Sequence, residues 1–155
     1  MLTVRLGDEL AELYRTDGAS LWRAVFAYAG NRDVADDAVA EAFAQCLRRG
    51  EAVRSPRAWV WRAAFRIAAG ELVERRKSFA LDGAVGREIP AGLAELFSVL
   101  AQLPPRQRGA LVLRYYAGYD TTEIARILGC SVATVRVHLS RGTRTLRRLL
   151  EESDA

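Results

Sequence analysis

The chain has 155 residues, half of them hydrophobic, with 23 Lys and Arg against 19 Asp and Glu for a formal net charge of +4. This length suits one ordinary domain or two small helical ones, and the apolar content excludes wholesale disorder. Two distant cysteines, Cys46 and Cys130, with a single histidine, His138, exclude a structural zinc site, and no apolar run approaches the roughly 20 residues that cross a bilayer.

The first residues, MLTVRLGDELAELYR, hold no apolar run long enough for a signal peptide. The expectation is a soluble cytoplasmic protein whose two cysteines are small buried apolar residues. Alanine, leucine and arginine favour helix, and strand-like alternation is absent. The pattern predicts helices over about Asp8 to Tyr14, Ser20 to Ala29, Asp33 to Arg49 and Pro56 to Lys77. Asp33 is the expected cap of the third, with Asp36 in its first turn. Gly50 to Pro56 reads as a loop, and Ser55-Pro56 opens the next helix, because proline tolerates the first turn. Ser78 to Ala91 has two glycines, a proline and no helical period, and reads as a linker. Helices resume over Gly92 to Leu103 and from Pro104-Pro105 to about Tyr116, where Gly118 ends the run. The predicted fold is all-α: two small helical domains, 1–77 and 92–155, joined by a linker over 78–91.

The C-terminal unit carries a helix-turn-helix pattern. Asp120-Thr-Thr-Glu123 suits a capping box, Asp120 accepting a backbone N–H and Glu123 reaching back. Gly129 supplies a left-handed turn and Ser131 caps the second helix. On that helix Val132, Val135, Leu139 and Leu146 form one apolar stripe, and Ala133, Val137, Ser140, Arg141, Arg144 and Arg148 fall opposite. Small residues first and arginines after suit a helix laid in the major groove, with Val137 able to meet a thymine methyl. From Val132 to Leu150 there are five arginines and no acid, whereas Asp33, Asp36, Asp37 and Glu41 cluster upstream. One end can face phosphate and the other a basic partner. His138 sits at the margin of the apolar stripe, as a packing or phosphate contact.

Taken together, these motifs resemble a known family. Leu103-Pro-Pro-Arg-Gln-Arg108, Leu113-Arg-Tyr-Tyr116, Glu123-Ile-Ala125 and Thr134-Val-Arg-Val-His-Leu-Ser-Arg141 are similar to the promoter-reading C-terminal domain of bacterial sigma factors. Asn31-Arg-Asp-Val-Ala-Asp-Asp-Ala-Val-Ala-Glu-Ala-Phe43 resembles the family's acidic helix. Ser55-Pro-Arg-Ala-Trp-Val-Trp-Arg-Ala-Ala-Phe-Arg-Ile-Ala68 resembles the tryptophan-led helix that follows it. The resemblance covers almost the whole chain and is closest to the extracytoplasmic-function (ECF) group, which lacks the extra domains of primary sigma factors.

The resemblance implies a subunit that binds bacterial core RNA polymerase, reads duplex −35 promoter DNA and opens −10 DNA. Asp36, Asp37, Ala40, Glu41 and Phe43 correspond to the polymerase-docking helix. Ala40 stands where the family commonly has glutamine. Arg114, Ser131, Ala133, Thr134, Arg136, Val137, His138, Ser140, Arg141 and Arg144 correspond to the −35 surface. Arg48, Arg49, Glu51, Arg54, Ser55, Arg57, Trp59, Arg62 and Arg66 correspond to the −10 surface, where flipped bases and phosphates need pockets and cations. The family's frequent Asn and Asp after the tryptophan helix align with Arg66 and Gly70, so those two roles are not transferred. Arg75, Arg76 and Lys77 add candidate phosphate contacts. Val60, Ala63, Ile67 and Gly70 form one stripe on the tryptophan helix, and Trp61, Phe65, Ala68 and Leu72 a second. One must pack on the acidic helix and the other could stack on bases, though Trp61 and Phe65 read first as core. The resemblance leaves room for an anti-sigma factor as a further partner. No nucleophile–base pair, phosphate loop or metal cluster is visible, so no catalytic residue, cofactor, metal or membrane insertion is expected. The competing reading is a conventional helix-turn-helix regulator that binds duplex DNA as a dimer.

Overall fold

The first helix, α1 (Leu2–Ala29), runs unbroken through Thr16-Asp17-Gly18, where the sequence predicts a gap between two helices. Leu6, Leu10, Leu21, Ala24, Val25 and Tyr28 are buried along one continuous face. Burial of that face outweighs the roughly 1 kcal/mol that an interior glycine costs a helix. The structure, a computed structural model, describes residues 2–75 and 91–154. Most of the sequence-predicted linker, together with Arg76 and Lys77, lies outside the described residues.

Helix α2 (Arg32–Arg49) is capped by Asn31 rather than Asp33: the Asn31 side chain accepts the Val34 N–H at 3.1 Å. Asp33 falls in the first turn, where its charge still favours the helix N-terminus. Val34, Ala35, Ala38, Val39, Ala42 and Cys46 are buried, and the three alanines let neighbouring helices approach closely. Burial pushes the Cys46 thiol pKa up, whereas Cys130 is only half-buried. A 3₁₀ turn (Gly50–Ala52) leads to α3 (Pro56–Arg75), which opens on proline as the sequence predicts.

Most of both apolar stripes of α3 is covered in the structure, with Ile67 and Leu72 half-buried and Gly70 exposed. Val60, Trp61, Ala63, Ala64, Phe65 and Ala68 are all buried, because α3 packs against α1 and α2 on one side and against a C-terminal helix on another. The aromatic members of the second stripe, Trp61 and Phe65, are therefore not open to stack on bases. Helix α4 (Ala91–Leu100) stops three residues earlier than predicted, and Ala101 to Leu103 form a turn ahead of Pro104. Helix α5 (Pro105–Leu111) continues into a π-helical turn (Val112–Tyr116), closed by the Ala117 N–H on the Val112 carbonyl at 3.0 Å. Helices α6 (Thr121–Leu128) and α7 (Val132–Asp154) complete the chain.

The buried residues of the N- and C-terminal halves form one continuous apolar cluster. At their seam lies Arg108, 1 % exposed. Its Nε donates to the Tyr28 carbonyl at 2.5 Å and its Nη1 to the Leu103 carbonyl at 2.8 Å. Tyr28 is in the last turn of α1, where carbonyls lack intrahelical donors and the helix dipole favours a cation. Burial lowers the Arg108 pKa to about 10, so the side chain remains charged at neutral pH. Next to it the chain requires a glycine. A Cβ on Gly109 would lie 2.7 Å from the Tyr28 ring, which is itself buried against Phe65 with ring centroids 5.7 Å apart. Gly109→Ala should therefore destabilise the protein by about 1–3 kcal/mol, read as a lowered urea midpoint; an unchanged midpoint would show that Tyr28 can move aside freely.

Candidate nucleic-acid and polymerase interface

The helix-turn-helix forms as its sequence predicts, with one exception. The Asp120 side chain accepts the Glu123 N–H at 2.9 Å, and Ile124 and Ile127 are buried. Gly129 takes the left-handed conformation at φ 69° and ψ 41°. Ser131 Oγ then accepts the Thr134 N–H at 3.1 Å to cap α7. The exception is the Glu123 side chain. Instead of reaching back to its own helix start, it pairs with Arg126 at 3.2 Å and with Arg62 of α3 at 3.0 Å.

On α7, Val135 is fully buried, and Val132, Leu139 and Leu146 pack partly buried against the core. Ala133, Arg136, Val137, Ser140, Arg141, Arg144 and Arg148 are exposed, so the predicted groove face is free. Arg136, Arg141 and Arg144 have no ion-pair partner among the described residues. Two predicted members differ. Thr134 is half-buried and its hydroxyl shares a 2.8 Å hydrogen bond with Ser131, so both serve the cap. Arg114 lies on the π-helical turn, exposed, with its Nη1 donating to the Tyr119 carbonyl at 3.4 Å. Gly142, on the back of α7, was not singled out by the sequence; a Cβ there would lie 3.1 Å from Leu111, so the glycine lets α7 sit close on α5.

His138 lies at the flank, half-buried beside Tyr28, Arg106 and Leu128, and its Nε2 has no hydrogen-bond partner among the described residues. Burial lowers its pKa first, and the Arg106 and Arg141 charges lower it further.

The −10 candidates fall into two groups. Arg49, Glu51, Arg54, Ser55 and Arg66 are exposed, and Trp59 is half-buried. The other arginines are engaged within the chain. Arg48 donates to Glu41 at 2.7 Å, and Arg57 Nε donates to Asp17 at 2.6 Å. Arg62 Nε faces Glu123 Oε2 at 3.0 Å, but both atoms are buried and lack hydrogen-bond alignment, so this contact is an ion pair only. Tyr119 sits between the halves near Arg57, Arg62 and Glu123, and burial raises its pKa to about 12. Trp61 and Phe65 are core, at 4 % and 0 % exposure.

On α2, Asp37 and Ala40 are exposed without further contacts. Asp36 is exposed too, and its carboxylate accepts the Trp22 indole N–H at 2.7 Å. Hydrogen bonds from Gln45 and Arg48 lower the Glu41 pKa. Phe43 meets Tyr14 edge-to-face with centroids 5.4 Å apart, and Tyr14 and Leu47 are exposed large apolar residues beside the acids. That aromatic margin was missed because Tyr14 comes from α1 and reads locally as part of an ordinary helix. Among the described residues there is no group of His, Cys, Asp or Glu able to hold a metal ion and no helix long and apolar enough to cross a membrane.

A capped helix-turn-helix with an exposed arginine face is the geometry of a duplex-DNA-binding protein. Residues 93–146 match the family description "Sigma-70, region 4". The chain is 30 % identical to the ECF RNA polymerase sigma factor SigL of Mycobacterium tuberculosis, over 90 % of this chain and 88 % of that one. It is 29 % identical to the RNA polymerase sigma factor SigV of Bacillus subtilis, with 86 % of each chain covered. Among solved structures, the sigma factor RpoE in complex with the anti-sigma factor NepR, from Bartonella quintana, superposes with a TM-score of 0.72 at 21 % identity, over 93 % of this chain and 97 % of that one. The chain belongs to the ECF sigma factors, which direct promoter recognition and transcription initiation.

His138 gives this surface a pH dependence. Its folded-state pKa lies below the ordinary 6.5, so as pH falls the unfolded chain takes up the proton first. Its contribution to stability is full above about pH 6.5 and is lost as pH falls through the depressed folded-state value. Thermal midpoints of wild type and His138→Gln across that window should diverge, the variant showing the shallower decline. Parallel profiles would assign the acid sensitivity elsewhere.

Proposed function

We propose that α7 is the −35 reader, that the surface of α3 with its preceding loop is the −10 reader, and that α2 is the polymerase-docking helix. The observation that carries this reading is the separation of charge along one chain. Unpaired arginines cover the exposed face of α7, while Asp36, Asp37 and Glu41 with the Tyr14–Phe43–Leu47 margin cover an outer face of α1 and α2. The first suits a polyanion and the second a basic, partly apolar protein surface. On this reading the protein works by binding alone, in the cytoplasm, without covalent chemistry. The similarity to RpoE, solved with an anti-sigma factor, supports an anti-sigma partner for this chain as well.

Reading both elements at once requires the halves to separate. The −35 and −10 elements lie about 25 base pairs apart, roughly 85 Å of duplex at about 3.4 Å per step. A compact chain of this length has a radius of gyration of about 15 Å and is about 40 Å across. The packed arrangement is therefore the resting form, in which Glu123 of the −35 unit occupies Arg62 of the −10 surface.

The test is reconstitution with bacterial core polymerase and a promoter library, where start-site-specific transcripts are expected. Tight binding to palindromic duplex alone, with core enzyme ignored, would favour a dimeric regulator and sink the reading. Within the reconstituted system, Arg141→Ala and Arg144→Ala should each reduce the slope of −35 duplex binding against log salt by about 0.9 and leave core binding intact. Asp37→Lys should weaken core binding and spare −35 binding. Fluorophores at Glu9 and Glu152, both exposed, should show strong energy transfer in the free chain and lose it in the promoter complex. Transfer that persists during specific transcription would exclude the opening step.

A further inference from the structure

The geometry points to Asp17 as a positioning residue for the −10 strand, a role that rests on α3 and its preceding loop forming the −10 surface. Asp17 lies on α1, far from the loop in sequence, yet its Oδ2 accepts Arg57 Nε at 2.6 Å and faces the Trp61 indole N–H at 3.4 Å. The Arg57 guanidinium also lies over the Trp61 ring, 5.3 Å from its centroid. Trp61 is buried and fixed in the core. The guanidinium is thus held twice, along its Nε edge by the carboxylate and on its face by the indole.

The way it is held matters for what it can still bind. An arginine engaged through Nε keeps both terminal NH₂ groups, the fork that grips a phosphate bidentately. The Asp17 side chain is 23 % exposed and that of Arg57 61 %, so the carboxylate sits on the inner side while much of the arginine side chain stays in solvent. A free arginine loses its rotamer freedom when it clamps a phosphate, and one already held loses less. Asp17 therefore presents the arginine, and Trp61 serves as the platform beneath it instead of stacking on a base.

A simpler electrostatic view predicts the opposite sign. If Asp17 only neutralises Arg57, removing the carboxylate strengthens DNA binding, since one negative charge is gone beside the phosphates. Positioning predicts that the same change weakens it.

The experiment uses the full chain bound to bacterial core polymerase. The probe is a labelled single strand bearing the −10 element of a promoter recovered by start-site mapping, titrated over a salt series. Core affinity and thermal midpoint report on folding. Asp17→Asn should weaken strand binding roughly five- to tenfold, with Asp17→Glu partly restoring it. Arg57→Gln should weaken binding by a similar factor and flatten the salt slope by about 0.7, and the double variant should be no weaker than Arg57→Gln alone. Arg57→Lys, which keeps the charge but has no fork, should lose affinity as Arg57→Gln does while keeping the wild-type salt slope, and this variant leaves α1 untouched. Asp17→Asn binding as tightly as wild type or more so, additive single effects, or wild-type affinity in Arg57→Lys would each overturn the role of Asp17 while the −10 surface stands. A wild-type holoenzyme that does not prefer its −10 strand over a scrambled one would overturn the −10 surface, and Asp17 with it.

Discussion

The fold turns on one guanidinium removed from water. Arg108 has no useful access to solvent, and backbone carbonyls replace water that its charge has lost. Those carbonyls come from different halves of the chain, Tyr28 at the end of α1 and Leu103 in the turn before α5. Losing either bond costs the desolvation of a buried charged donor as well as the bond itself. The start of α5 is thereby fixed against the end of α1. Gly109 and the Tyr28–Phe65 contact then set how closely α5 approaches, and α6 and α7 follow from α5. The placement of α7 relative to α3 depends on this contact together with the apolar cluster that the two halves share.

Around that anchor the arginines are in two different states. Those on the exposed face of α7 stand in solvent, able to release counterions to a duplex on contact. Three of those on or before α3 are matched by carboxylates from α1, α2 and α6. The α7 surface is ready to bind, whereas the α3 surface is partly neutralised by the chain's own acids. A sigma factor that must find polymerase before it opens DNA is well served by that asymmetry.

Local chemistry was largely legible in the sequence. Asp120, Gly129 and Ser131 act where their side chains or backbone preferences say they should, Pro56 and Pro105 open helices, and the apolar and exposed faces of α7 follow its helical period. Each of these depends on neighbours within a turn or two. What was not legible depends on partners distant in the chain. Gly18 is carried through α1 by a packed face that no local window reveals. Asn31 displaces Asp33 as a cap by a matter of two residues. Arg108 reads as one basic residue in a motif, and only the arrival of α1 shows that it is buried. Asp17 fell in a presumed gap between helices, and the second stripe of α3 looked free because the helix that covers it follows much later.

Glu123 is the clearest case of a residue with two possible loyalties. At the third position of α6 it is suited by sequence to the backbone at its own helix start, yet in the packed state it pairs with Arg126 and with Arg62, the latter through buried atoms that are poorly aligned. Separation of the halves would break the Arg62 pair, but the carboxylate would keep Arg126 and could also turn to the N–H at the start of α6. Such an exchange of partners would offset part of the cost of losing the Arg62 pair. It would also tie the rearrangement to the helix-turn-helix, whose first helix would gain a second capping bond on release from α3.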